Sequence, residues 1–520
     1  MRRSMSLQTP TEDGHVLVEP GPDRLAELTQ VNHHRLSTCK CVIHGRTLAE
    51  LRAATRVVLA DLTDDHPLIV TGHQPEFYHA GVWAKNIVAS RLAAALGGRA
   101  LNLVVDNDAP KKTSLTVPHC GRGMLTAYEV PFAEYHAGWT FEQLDGLDTR
   151  AAHRMVEEIR TALGDAAYRA SAMPRMEPAF TTHVSGDDFV DQITRARKTV
   201  EVLFDLDLTE RRVSRCWGGP MVLEILLNAA RFAACYNAAL ADYRQAAGIR
   251  GTRRPVPDLL SKPDRIELPI WAYRRKDARR RLFVEPIQDA VTFYAEQAPI
   301  GTLGTSELRD PEALTHLSET TGWCLRPRAL ALTLWARLLL ADLFIHGIGG
   351  AKYDCITDRL IRRYFEIEPP ALACVSATVK MPMDRFPVSR DDLVAARRKA
   401  RDVHYNPQRY LSAITADLSE RLQRRVDRIA ESQRLAREDR LNRRARREVF
   451  LAIRRANADL LAIDPNLVDR LESQVRRIEH QLAHNAVADS REYFFGLLPM
   501  EKLRRLADAL PAIETLRGRS

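Results

Sequence analysis

Residues 67–110 constrain the fold of this chain more than any other stretch. The apolar run "PLIV" at 67–70 enters a glycine turn, "TGHQPEFYHAG", and an apolar-periodic segment follows at about 83–96. "GGRALNLVVDNDAP" then reads as a second buried strand. Strand, helix and strand in this order form a βαβ unit, whose usual outcome is two parallel strands joined by a right-handed crossover. The fold class expected from it is α/β, with a Rossmann-like parallel-sheet core. An inserted connecting region and a C-terminal α-helical coiled-coil domain complete the expected architecture.

The turn after the first strand holds more chemistry than a connection needs. A glycine turn that opens a helix gathers backbone N–H groups and the positive end of the helix dipole at one point, a ready anion site. Gly72, Gln74 and Gly81 shape that turn, and His73, His79 and Lys85 add hydrogen bonds and charge. The plainer alternative is that the glycines serve the turn and the histidines cap backbone groups. Asp106 and Asp108 close the second strand, where carboxylates can hold a substrate ammonium or Mg²⁺, or simply cap a turn. A second glycine turn, "HGIGGAKYD", supplies Gly347, Gly349 and Gly350, with Lys352, Tyr353 and Asp354 behind them as candidate substrate contacts. Lys380, in "SATVKM", lies near another strand end.

The rest of the chain divides by character. Residues 1–60 read as a strand and a helix, 61–390 as the core with an insertion at about 118–215, and 391–489 as a helical coiled coil. Residues 490–520, with the aromatic "REYFFGLLP", should pack back on the core. "RFAACYNAALADYRQ" predicts a helix, "RIELPIWAYRRKDARRRLFVEP" a β-hairpin, and "ALACVSATVKM" a buried strand. "ALALTLWARLLLADLFIHGIGGAKYDCITDRLIRRYF" predicts helix, glycine loop, helix. "DDLVAARRKARDV" is helical, and a long helix is expected from about Arg409. Leu411, Ile414, Leu418, Leu422, Val426 and Ile429 line one face of it; Leu467, Leu471, Val475, Ile478 and Leu482 form a second stripe after the turn "IDPN". Stripes of this length predict a homodimer.

Composition narrows the function classes. Of 520 residues, 45% are hydrophobic and 28% charged, which suits a globular chain of two or three units and not a disordered one. No apolar run reaches bilayer length; the longest is interrupted by Arg337 and Asp342, so no membrane partner and a cytoplasmic location are expected. The eight cysteines form no CxxC pair, which argues against a structural zinc site or a disulfide framework. No metal ligand set is expected. A net charge of +9 suits nucleic acid or small anions. The arginines of "ESQRLAREDRLNRRARREV" alternate with acids and lack aromatic neighbours, so a solvated helix face explains them better than RNA binding. There is no GxSxG elbow and no Walker A motif.

Two resemblances follow from these motifs. "HAGV" at 79–82 matches half of the HxGH signature of class I aminoacyl-tRNA synthetases and related nucleotidyltransferases, with Val82 in place of the second histidine. Across residues 65–498, the order of "TGHQ", "VVDNDAP", "LRPRAL", "HGIGGAKYD", "ATVKM", coiled coil and "REYFFGLLP" resembles the bacillithiol biosynthesis cysteine-adding enzymes. His73 stands where that family carries a second Gln, and "GIGGAKYD" replaces a Gly-Pro-Gly-Glu type loop. The family's acidic run usually contains a His that "DNDAPKK" lacks.

The resemblance implies an amide-forming ligase joining cysteine, or another amino acid, to a small amine or amino-sugar acceptor. His73, His79, Asp106 and Asp108 would be catalytic. Gly72, Gln74, Gly81, Lys85, Gly347, Gly349, Gly350 and Lys380 would hold ATP with Mg²⁺, and Lys352, Tyr353 and Asp354 would contact substrate. The alternatives are a nucleotidyltransferase acting on a small acceptor and a non-catalytic coiled-coil protein that binds RNA or a partner.

Overall fold

The computed structural model describes residues 7–62, 66–251, 255–411 and 416–510. They group into two compact units: residues 1–117, 128–381 and 490–520 form one, and residues 118–127 and 382–489 the other.

The first unit is mixed α/β and is built on two sheets. The first sheet comprises β1 (Val16–Glu19), β2 (Leu68–His73), β3 (Arg99–Val104) and β4 (Thr209–Arg212). The second comprises β5 (Ile266–Tyr273), β6 (Arg280–Ile287), β7 (Ala290–Ala295), β8 (Ala298–Gly304) and β9 (Cys324–Pro327). Strands β10 (Leu343–His346) and β11 (Leu372–Ala377) complete the first sheet, whose order is β1-β11-β10-β2-β3-β4. All its neighbouring pairs are parallel except β1 with β11. The second sheet, β8-β7-β6-β5-β9, is antiparallel throughout.

The βαβ unit forms as its residues predict. Helix α1 (Pro22–Ser37) and helix α2 (Leu48–Ala60), which starts with a Thr47–Glu50 capping box, precede it. Helix α3 (Ala80–Leu96) joins β2 to β3, and Gly97 ends it in the left-handed conformation that favours glycine. Helix α4 (Ala229–Ala247) follows β4, and helix α5 (Ile348–Leu360) joins β10 to the parallel β11. Residues 7–60, expected as a separate segment, belong to this unit: β1 is its edge strand and α1 and α2 are its helices. Residues 118–208 hold the tip of a hairpin and four α-helices between Thr149 and Glu201 before β4 rejoins the sheet.

Residues 343–346 correct a sequence expectation. "LFIH", read as the end of a helix, is the strand β10, hydrogen-bonded between β11 and β2 near the middle of the sheet. All four of its residues are buried. A strand covered on both faces is a continuous apolar run, and nothing in its periodicity separates it from the end of the preceding helix. The two charges that interrupt the same run are buried and paired. Asp342 accepts from Arg52 at 2.5 Å and from the Leu68 N–H at 2.7 Å. Arg337 meets Asp354 at 2.6 Å and Asp358 at 2.7 Å.

The second unit is helical: α6 (Arg390–Asp402), α7 (Ala416–Glu438), α8 (Arg443–Leu461) and α9 (Leu467–Ala488). The long helix expected from Arg409 is broken. Pro407–Arg409 is a 3₁₀ turn, and the chain reverses between Glu438 and Arg443 so that α7 packs on α8 while α9 packs on α6. Of the first apolar stripe, Leu418 is buried and Val426 exposed, and Ile414 lies outside the described residues. No helix among the described residues is long and apolar enough to cross a membrane.

Candidate functional site

Strands β2 and β10 lie side by side and parallel, and their connections leave in opposite directions. From β2 the chain crosses through α3 to β3; from β10 it crosses through α5 to β11 on the other side. The carboxyl ends of such a strand pair open a crevice where α/β sheets bind ligands. The N-termini of α3 and α5 both start there, directing two positive dipole ends into one space. A cleft of about 810 Å³ occupies that position.

Most of the residues singled out from the sequence line this cleft. Gly72, His73, Gln74, His79, Gly81 and Lys85 come from the β2–α3 turn, and Asp108 from beyond β3. Gly347, Gly349, Gly350, Tyr353 and Asp354 come from the β10–α5 turn. Thus the three loops meet at the carboxyl edge of the sheet.

Each has a defined local role. His79 is the N-cap of α3, its Nδ1 accepting the Gly81 N–H at 3.0 Å. Gly81 allows close approach: a Cβ there would sit 2.5 Å from the Arg491 guanidinium and inside contact distance of the Ala377 carbonyl. At Gly347 and Gly349 an added Cβ meets nothing within 4 Å, so the space over the α5 N-terminus is open. Lys85 is buried and donates to the Gly72 carbonyl at 2.7 Å. Burial brings its ammonium down to about 7. Burial also pushes His73 down to about 3, with the charge of Lys85 adding to the effect, and His79 to about 3, with Arg491 and Lys85 adding. Both imidazoles are therefore neutral at pH 7.

Asp108 receives Gln74 Nε2 at 2.9 Å and Arg279 Nη1 at 2.6 Å, and keeps 39% of its side chain exposed. Asp106 does not join it. It is fully buried, bonded to Arg212 at 2.7 Å and to the Ser214 hydroxyl at 2.5 Å, and absent from the cleft lining. The two carboxylates follow the end of β3, where alternation no longer governs side-chain direction. The pair expected to share an ammonium or Mg²⁺ is thus one structural and one accessible carboxylate. Lys380 and Lys352 are also outside the lining. The Lys380 N–H donates to Asp13 at 2.7 Å, and Lys352 rides on α5 behind the turn. Asp354 reaches the lining but is 2% exposed. Burial opposes its charge, yet Arg337 and His346 outweigh that and hold it below the usual carboxylate range.

Several cleft residues were not singled out. Arg491 contributes a guanidinium 3.3 Å from His79 Nδ1 and 3.1 Å from both Ser376 Oγ and Thr378 Oγ1. Arg328 and Arg279 lie over the Trp271 ring at 4.2 and 4.8 Å from its centroid. His346 ends β10 and bonds Asp354. Its position in "HGIGGAKYD" was the one available signal; Arg491 and Trp271 carried none, because their neighbours are remote in sequence.

The arrangement can hold a multiply charged anion at the helix N-termini and a cationic group at Asp108. Among the described residues, no cluster of three or more His, Cys, Asp or Glu side chains could hold a metal ion. The chain matches no protein-family model and no curated protein.

Proposed function

We propose that the cleft joins a carboxyl group to an amine, as an amide-forming ligase acting on an amino acid, with cysteine the first candidate, and a small amine or amino-sugar acceptor. One observation carries this reading: the three loops converge at the β2/β10 switch point, with cationic and N–H groups on one side and Asp108 on the other. The Rossmann-like character of the core and the coiled-coil character of the helical unit belong to the same proposal.

ATP fits the site as co-substrate. Two helix N-termini, the open space at Gly347 and Gly349, Lys85 and Arg491 suit a polyphosphate. Arg491 Nε lies 3.4 Å from Glu492 Oε1, so a bound anion would compete with that carboxylate for the guanidinium. Asp108 would take the ammonium of the incoming amino acid, while Lys85 and the helix amides stabilise charge developing on phosphate and carbonyl oxygens. Catalysis would then come mainly from positioning and electrostatics.

The test is incubation of the purified protein with cysteine, ATP, Mg²⁺ and amino-sugar acceptors, followed by mass spectrometry for amide. Nucleotide transferred to the acceptor, with no amide, would replace the ligase reading by nucleotidyl transfer. No new product of either kind would remove both.

A further inference from the structure

We infer that His346, oriented by Asp354, is the general base that takes the proton from the attacking amine. This rests on the amide-forming reading above. His346 is the last residue of β10, lines the cleft, and sits at the switch point between the two helix N-termini. Its Nε2 lies 3.1 Å from Asp354 Oδ2. The same oxygen receives Arg337 Nη1 at 2.6 Å, so the carboxylate stays ionised and can only accept. In the neutral imidazole Nε2 then carries the proton, and Nδ1 has the lone pair.

Nδ1 makes no hydrogen bond among the described residues. It faces Gly350, where a Cβ would approach to 2.7 Å. Glycine at that position omits a Cβ that would press on the nitrogen, and His346 itself is 9% exposed. A base whose far nitrogen is fixed by a buried carboxylate is the arrangement expected of proton abstraction. The other imidazoles are poorer candidates. His79 Nδ1 is engaged as a helix cap, and burial leaves both His73 and His79 too weakly basic.

The step balances as follows. The acceptor amine attacks the carbonyl carbon of an acyl group activated as a mixed anhydride with phosphate, supplied by a nucleoside triphosphate. The C–N bond forms, and the amine proton passes to His346 Nδ1. The C–O bond to phosphate breaks, and its electron pair leaves on the phosphate oxygen.

Hydroxylamine distinguishes this role from a structural one, because it is neutral at pH 7 and attacks activated acyl groups without help from a base. The His346→Gln variant and the natural protein are each given cysteine, ATP and Mg²⁺, with either glucosamine or hydroxylamine. General-base catalysis contributes roughly 10²–10⁴-fold, so the ratio of amide to hydroxamate should fall by two orders of magnitude or more in the variant. A ratio equal to that of the natural protein, whether both products persist or both are lost together, overturns the inference. If the natural protein forms neither product, the amide-forming reading itself fails.

Discussion

Lys85 Nζ donates to the carbonyl of Gly72 at 2.7 Å, tying the first turns of α3 to the end of β2 beneath the cleft. No carboxylate pairs with it among the described residues. An anion in the cleft would favour the charged amine and raise its value above about 7. At pH 8 the free protein is mostly neutral at this site, so pyrophosphate binding should take up a proton. Calorimetry should give a more endothermic apparent enthalpy in Tris than in HEPES. The difference should vanish in Lys85→Met. Equal enthalpies for the natural protein in the two buffers would exclude an anion next to Lys85.

Folding stability should respond to the same group. Its folded value lies below that of the unfolded chain, so the unfolded state binds more protons between about pH 7 and 10.4. Stability from this group therefore rises with pH across that window. Urea titrations at pH 7 and 9.5 should show a smaller rise for Lys85→Met than for the natural protein. An identical rise would mean that Lys85 titrates normally.

His73 and His79 are neutral, which changes the magnitude expected of their removal. Neutral hydrogen bonds contribute about 0.5–1.5 kcal/mol each, where charge-assisted ones would contribute about 1.5–3. The two substitutions should also separate. His79→Ala removes the α3 cap and should cost about 1 kcal/mol of folding stability. His73→Ala should act mainly on pyrophosphate affinity. Pyrophosphate affinity unaltered in the double variant would end the assignment of this turn to anion binding.

Gly81 and Gly349 sit on the two helix N-termini but differ in what surrounds them. Gly81→Ala forces a methyl group against the Ala377 carbonyl and Arg491, and overpacking of this kind costs about 1–3 kcal/mol. Gly349→Ala meets nothing within 4 Å and should leave stability nearly unaltered while reducing ATP affinity by filling the cleft. Calorimetric melting of both variants checks the contrast. Comparable losses of stability would show that the α3 turn has room to adjust.

The parallel pair β2 and β3 was legible because a glycine turn and a helix-period stretch separate two apolar runs. The strand β10 was not, since its four buried residues continue the apolar run of the preceding helix. The β5–β6 hairpin announced itself through its polar turn, but β7, β8 and β9 went unread. The buried Val291, Thr292 and Phe293 show no alternation to mark a strand. The β2–α3 side of the cleft could mostly be found from one local stretch, 71–86. Its missing member, Arg491, lies 412 residues from His79, and no local pattern reports a contact across that separation. Asp106 and Asp108 looked equivalent in sequence; only Arg212 and Ser214, brought over by β4, distinguish them.

The helical unit is predicted to pair two chains. Val426 is 52%, Phe450 55% and Leu441 91% exposed, although α7 and α8 already cover one face of each other. Light scattering at micromolar concentration should give twice the mass of one chain. Phe450→Lys should shift it toward the monomer. A natural protein that is monomeric under those conditions would remove the dimer.

The C-terminal arm should matter to the cleft through its aromatic residues as much as through Arg491. The Phe495 N–H donates to the Tyr78 carbonyl at 3.0 Å, beside His79. Its ring stacks on Trp83 at a centroid distance of 5.0 Å, and Phe494 packs edge-on against Phe77 at 4.9 Å. Both rings are buried, so Phe495→Ala should cost about 3–5 kcal/mol and loosen the segment that presents the guanidinium. Arg491→Ala should leave the aromatic packing in place, and so reduce pyrophosphate affinity with a much smaller loss of stability. Urea denaturation and calorimetry on the two variants separate the effects. If Arg491→Ala binds pyrophosphate as tightly as the natural protein, the arm braces the α3 turn and takes no part in holding the anion.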